Sequence, residues 1–224
     1  MNQNYINICF IVDESSSMGL SINDVKQGFK TMIEEQKKIE NGKCIVSLFR
    51  FASTVKEDFI GKDVSEIDTI DYKPWGSTAM NDGIGMAITK LGQWLNDMKE
   101  EDKPSKNLIV IMTDGEENAS KEYTFAKVKE MIKHQEEKYN WSFVYMGTDL
   151  TSMKDVENLG IKMSSFSSRR GLAANYDLLN ATATAYRCAT TVTESLATMD
   201  CLMKSCADTT KAYEEERNIK LNID

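Results

Sequence analysis

Three short stretches of the chain carry oxygen-bearing side chains at spacings from which chemistry could be built. The first, Asp13-Glu14-Ser15-Ser16-Ser17, has the pattern D-x-S-x-S and offers a carboxylate and two hydroxyls. The second, Gly76-Ser77-Thr78-Ala79-Met80-Asn81-Asp82-Gly83, adds a threonine hydroxyl just ahead of a helical pattern, and Thr113-Asp114-Gly115 adds another carboxylate. Carboxylate and hydroxyl oxygens are hard ligands, suited to Mg²⁺, Mn²⁺ or Ca²⁺. Taken singly, each stretch has a plainer reading: Ser15 and Thr78 as helix caps, Asp114-Gly115 as a turn.

Catalytic signals are sparse. The single histidine, His134, sits in a polar helical stretch far along the chain from all three loops, where a solvated surface position is expected. The serines have no identifiable general base, and neither G-x-S-x-G nor a Walker A loop occurs. A haloacid-type phosphotransferase wants a second carboxylate where Ser15 stands. A receiver domain wants its phosphorylated aspartate much closer to Asp13 than Asp114 lies. Three functions stay open on the residues alone: a metal-dependent protein-binding module, a Mg²⁺-dependent phosphoester hydrolase in which the cation polarises the substrate, and a helical scaffold with a structural cation. The expectation is a binding module and not an enzyme.

The elements that must position these loops read as alternating strands and helices. Tyr5–Val12 is nearly continuous apolar, the pattern of a strand buried on both faces of a parallel sheet. Ser21–Ile39 has apolar residues three and four apart, an amphipathic helix. Lys43–Phe51 and Thr54–Ile60 are strands joined only by Ala52-Ser53. So short a link makes a hairpin, because a parallel crossover needs about a dozen residues or more. Helices are expected over Ala79–Glu100 and Tyr123–Tyr139, strands over Asn107–Met112 and Trp141–Met146, and a short sixth strand within Ile161–Phe166. The result is an α/β fold: a mostly parallel, twisted sheet with one antiparallel edge strand and helices on both faces. Its binding site should lie where loops leave the carboxyl ends of the strands.

At 224 residues, with 41% apolar and 28% charged residues, the chain has the composition of an ordinary globular protein. No stretch approaches the roughly 20 apolar residues of a membrane helix, and the polar N-terminus lacks the features of a leader. The formal charge of -8 opposes attraction to a phosphate backbone, so neither nucleic acid nor membrane is expected as a partner. Five cysteines without a C-x-x-C suggest reduced thiols, and a cytoplasmic location is the expectation.

Together, in this order and each at a strand exit, the three loops resemble the metal-ion-dependent adhesion site of von Willebrand A-type (vWA) domains. The resemblance covers roughly residues 5 to 165, including the hairpin. It is closest to small stand-alone bacterial and phage proteins of the superfamily, including those linked to tellurite-resistance clusters. It implies a Rossmann-like vWA core over residues 1–168, holding one divalent cation. Ser15 and Ser17 would bind that cation directly, Thr78 directly or through water, and Asp13 and Asp114 mainly through bound waters. A shell of neutral hydroxyls and waters leaves the cation electrophilic, so an exposed Asp or Glu of a partner protein can complete it. Glu14, Ser77 and Glu116 are then candidate partner contacts at the rim. The plainer reading of Glu14, Glu116, Glu117 and Asp82 is as variable loop positions and a helix first turn that suits a carboxylate.

Residues 169–224 read as a C-terminal helical extension. Leu172, Tyr176, Leu179, Ala183 and Tyr186 form one apolar stripe, suited to completing the fold. Val192, Leu196, Met199, Met203 and Cys206 form a second. Unbroken, such a helix spans roughly 70 Å at about 1.5 Å per residue, longer than a domain of this size. Either it breaks near Thr190-Thr191 and folds back, or it projects and offers a surface for self-association.

Overall fold

Strand β1 (Asn2–Asp13) is the axis of the molecule, because Ile8, Cys9, Phe10, Ile11 and Val12 are all fully buried and alternate between the two faces of the sheet. The structure is a computed structural model that describes residues 2–40, 42–147, 153–161, 163–166 and 172–189, together with residues 194, 197, 198 and 201. A 3₁₀ turn (Ser16–Ser21) and helix α1 (Ile22–Lys37) follow β1, then the hairpin of β2 (Lys43–Phe51) and β3 (Val55–Asp63). Helix α2 (Met80–Asp97), β4 (Pro104–Thr113), α3 (Phe125–Tyr139), β5 (Ser142–Gly147), α4 (Met153–Leu159), β6 (Met163–Phe166) and α5 (Leu172–Cys188) complete the order.

The sheet has six strands in the order β3-β2-β1-β4-β5-β6. All neighbours are parallel except β2 and β3, so the antiparallel edge expected from the two-residue link is present. The chain first builds outward from β1 through β2 and β3, then returns to β4 on the other side. The carboxyl ends of β1 and β4 therefore flank the point where the strand order reverses, the place where open α/β sheets bind ligands.

One face of β1 presents Ile6, Ile8, Phe10 and Val12 to Val25, Phe29 and Met32 of α1 and to Tyr176, Leu179, Ala183 and Tyr186 of α5. The other presents Cys9 and Ile11 to Met80, Ile84 and Leu91 of α2 and to Val128 and Ile132 of α3. Burying each of the larger side chains stabilises the fold by roughly 1.5–3 kcal/mol. Helices α1 and α5 meet closely: a Cβ on Gly28 would lie 2.1 Å from the Tyr176 ring.

The first apolar stripe of the C-terminal region thus covers the sheet. Helix α5 ends at Cys188. Its carboxyl end is fixed twice. The buried Lys106 ammonium of β4 donates to the carbonyls of Tyr186 (2.7 Å) and Ala189 (2.6 Å), an arrangement that suits the negative end of a helix. The Arg187 guanidinium donates to the carbonyls of Gln36, Ile39 and Gly42 at the end of α1. The second stripe and the expectations of a folded-back helix or self-association lie outside the described residues. Among the described residues no helix is long and apolar enough to cross a membrane.

Candidate metal site

Asp13 is the last residue of β1 and is completely buried. One carboxylate oxygen accepts from the Ser15 amide at 2.7 Å, the other from the Thr113 hydroxyl at the end of β4 at 2.5 Å. The backbone carbonyl of Asp13 accepts from the Tyr72 phenol. Burial is the main influence on the acid and pushes its pKa up to about 6. The hydrogen bonds from Thr113 and Ser15 oppose the rise, and the neighbouring Asp114 adds to it. A buried carboxylate in this position gains from either a proton or a cation.

From Asp13 a chain of short contacts crosses the loops. The Ser15 and Ser17 hydroxyls are 2.9 Å apart, and Ser17 donates to the Asp114 carboxylate at 2.5 Å. Gly115 supplies the link to the remaining ligand. A Cβ built there would stand 3.3 Å from the Thr78 hydroxyl and 3.4 Å from that of Ser17, so both hydroxyls face one small space that a side chain would fill. Asp13, Ser15, Thr78 and Asp114 are buried and Ser17 is half-buried. The five candidate ligands therefore converge, and their donor set of two carboxylates and three hydroxyls fits a hard divalent cation.

The plainer readings of Ser15 and Thr78 do not describe these side chains. Ser15 precedes the 3₁₀ turn but makes no side-chain capping bond. Ahead of α2 the capping position belongs to Ala79, which has no side-chain acceptor to offer. The amides at that helix start are served from the loop after β4 instead. Glu117 accepts from the Asn81 amide at 2.7 Å, and the Ser120 hydroxyl accepts from the Asp82 amide at 3.0 Å. Asn118 accepts from the Thr78 amide at 2.9 Å, while the Thr78 carbonyl accepts from the amides of Asn118 and Ala119. Two loops are locked together by this exchange, which leaves the Thr78 hydroxyl for a ligand.

The acidic residues near the site divide by direction. Asp82, in the first turn of α2, accepts from the amides of Lys121, Glu122 and Tyr123 at 2.8–2.9 Å, and so staples the β4–α3 loop. Glu117 also holds the amides of Ala119 and Ser120. Glu14, expected at the partner-facing rim, points inward. It is 6% exposed and accepts from Arg50 at 2.6 Å and from the Lys73 amide at 2.7 Å. Arg50, on β2, is in turn held by Asp58 of β3 through two nitrogens. Glu14 is placed by this buried pair because its backbone amide binds the Phe51 carbonyl, which fixes it beside β2. Ser77 and Glu116 are exposed, with the Ser77 amide tied to the Ser53 hydroxyl. His134 is exposed on α3, an element that contributes none of the five ligands.

Sequence reasoning named Thr113 and Glu117 without the roles they take here, and missed Tyr72 and Arg50. The polar run Glu116-Glu117-Asn118-Ala119-Ser120 after Asp114 marked the region, but not which helix it would cap.

A family model described as the von Willebrand factor type A domain matches residues 7–176. Comparison with curated proteins gives no match. Among solved structures, the chain is similar to the vWF domain of the type V pili tip protein Mfa5 from Porphyromonas gingivalis, with 11% identity and a TM-score of 0.59, covering 80% of this chain and 95% of that one. It is also similar to proximal thread matrix protein 1 from the mussel byssus in a structure with a zinc-occupied MIDAS motif, at 18% identity and a TM-score of 0.55, covering 79% of this chain and 45% of that one. A third is the manganese-loaded TRAP protein of Plasmodium vivax, at 16% identity and a TM-score of 0.50, covering 78% of this chain and 72% of that one. This chain thus spans less than half the length of the mussel protein. At such identities the likeness to these structures is one of fold. The matched stretch runs from β1 into α5 and contains all five candidate ligands, and on that match the chain belongs to the von Willebrand factor type A domain family.

Proposed function

We propose that this chain is a metal-dependent protein-binding module and not an enzyme. One divalent cation, Mg²⁺ with Mn²⁺ or Ca²⁺ as alternatives, is held by Ser15, Ser17 and Thr78, with Asp13 and Asp114 behind them. When bound, the cation supplies an electrophilic point to which a carboxylate from a partner's Asp or Glu can add. The observation that carries the reading is the convergence of two buried carboxylates and three hydroxyls, with the hydroxyls of Thr78 and Ser17 turned to one space beside Gly115. The metal-occupied mussel and Plasmodium structures of the same fold support it.

The chain's own residues prepare that contact. Asp13 and Asp114 provide the negative field, and their hydrogen bonds with Thr113 and Ser17 fix the carboxylates. Glu117, Asn118 and Ser120 hold the Thr78 loop against the Asp114 loop. Burial of Asp13 makes the ionised form depend on a nearby cation. The net charge of -8 favours a protein partner over nucleic acid. Reduced thiols, among them the buried Cys9 and Cys44, suit action in the cytoplasm.

The test is calorimetric titration of Mg²⁺ and Mn²⁺ into chelator-treated protein, beside a Ser15→Ala, Ser17→Ala variant checked for folding by circular dichroism. One ion bound by the wild type and none by the folded variant is expected. Equal binding by both would move the cation elsewhere. Metal-dependent hydrolysis of p-nitrophenyl phosphate that disappears in the same variant would replace the binding module with a hydrolase.

A further inference from the structure

Three large apolar side chains are strongly exposed among the described residues: Leu20 at 85%, Trp75 at 48% and Tyr139 at 61%. Two of them belong to the loops that carry the candidate ligands. Leu20 lies three residues after Ser17 within the 3₁₀ turn Ser16–Ser21. Side chains three apart eclipse one another in such a turn, so Leu20 stands on the same side as the Ser17 hydroxyl, about 6 Å further along.

Trp75 belongs to the second ligand loop, whose backbone is bonded to the first. Its amide donates to the Glu14 carbonyl at 2.8 Å, and the carbonyl of the next residue, Gly76, accepts from the Ser16 amide at 3.1 Å. These bonds strap the Trp75-Gly76 stretch against Glu14–Ser16. Gly76 has φ of 69°, and the turn it makes sends the chain on to Ser77 and Thr78. Ser16 and Ser77, in the same two loops, are also exposed. Tyr139 ends α3 just ahead of β5, at the opposite end of the parallel strands, and serves as an internal control.

Building on the metal-site reading, we propose that Leu20 and Trp75 form an apolar rim that selects partner segments in which the metal-seeking Asp or Glu is flanked by apolar side chains. The cation alone accepts any carboxylate. The rim adds a contact that depends on the neighbours of that carboxylate, and it is continuous with the ligand loops through the Glu14–Trp75 and Ser16–Gly76 bonds. A segment with polar neighbours would leave Leu20 and Trp75 wet and gain only the charge contact.

The experiment uses fluorescein-labelled peptides Gly-Leu-Glu-Leu-Gly, Gly-Ser-Glu-Ser-Gly and Gly-Leu-Gln-Leu-Gly, read by anisotropy against the Mg²⁺-saturated 224-residue chain. The expected result is that the first binds at least about tenfold more tightly than the second, equivalent to about 1.4 kcal/mol, and that the third does not bind. Leu20→Ser and Trp75→Ala should each cut that preference to about threefold or less, while calorimetric Mg²⁺ affinity is unchanged and Tyr139→Ala leaves the preference intact. Equal binding of the two glutamate peptides, binding of neither, or a preference that survives both substitutions would overturn the rim. Failure of Mg²⁺ to bind the wild type in calorimetry would instead overturn the metal reading itself, and the rim with it.

Discussion

Replacing Glu14 with alanine removes the acceptor shared by the Arg50 guanidinium and the Lys73 amide, at 2.6 and 2.7 Å. Both side chains of the ion pair are buried, at 6% and 8% exposure, so water cannot replace the lost partner fully. Breaking a buried pair by deleting one member costs roughly 3–5 kcal/mol. Here Arg50 keeps Asp58 and the Asp71 carbonyl, which places the expected loss near the low end, about 3 kcal/mol. Glu14→Gln retains a neutral acceptor for the Lys73 amide and for one Arg50 nitrogen, and should lose about half as much. Urea denaturation with excess Mg²⁺ measures both. An unfolding free energy for Glu14→Ala within about 0.5 kcal/mol of wild type, the range of an ordinary surface substitution, would refute the buried pair. Because Glu14 gives no oxygen to the five-residue cluster, the folded Glu14→Gln protein should also keep its Mg²⁺ affinity. Loss of metal binding there would return Glu14 to the site's rim.

Asp13→Asn tests the electrostatics of the metal-free site. The folded acid is raised from 3.8 to about 6, so its contribution to stability is fully present below about pH 4 and is lost as pH rises through about 6. Without metal at about pH 7.5, the asparagine variant should therefore be more stable than wild type by roughly 3 kcal/mol, with the gap closing towards pH 4. Chelator-treated urea melts across that range measure it, and an absent gap at the higher pH contradicts the burial account. Gly28→Ala drives a Cβ into the Tyr176 ring and should cost roughly 2 kcal/mol, read by thermal melts and near-ultraviolet circular dichroism. An unchanged melt would mean that α5 does not press on α1 as described.

What was legible in the sequence follows the kind of interaction that decides each feature. Apolar runs and their periods fix which stretches become strands and which face is buried, so β1, the β2–β3 hairpin and the short β6 could be read directly. Asp13, Ser15, Ser17 and Asp114 were legible because they lie at or just beyond the carboxyl ends of β1 and β4, and parallel neighbours bring those ends to one edge. Thr78, ahead of α2 and well beyond the antiparallel β3, was singled out only by its likeness to the family pattern. Glu14 was not legible, because its direction depends on Arg50, a residue of β2 that only strand pairing places beside it. The same holds for the start of α2. A threonine ahead of a helix reads as its cap, yet the helix amides are served by Glu117 and Ser120 from across the site. Long-range polar pairing leaves no period in the chain, and helix α4 and the 3₁₀ turn after Ser15 were too short to show one.

The central claim is that one cation sits among Ser15, Ser17 and Thr78 with Asp13 and Asp114 behind them. Crystals of the protein grown with Mn²⁺, with data collected near the manganese edge, test it most directly. The account predicts a single anomalous peak bounded by the Ser15, Ser17 and Thr78 hydroxyls and lost in Ser15→Ala, Ser17→Ala crystals. A peak elsewhere, or an empty cluster at saturating Mn²⁺ in well-ordered crystals, would contradict it.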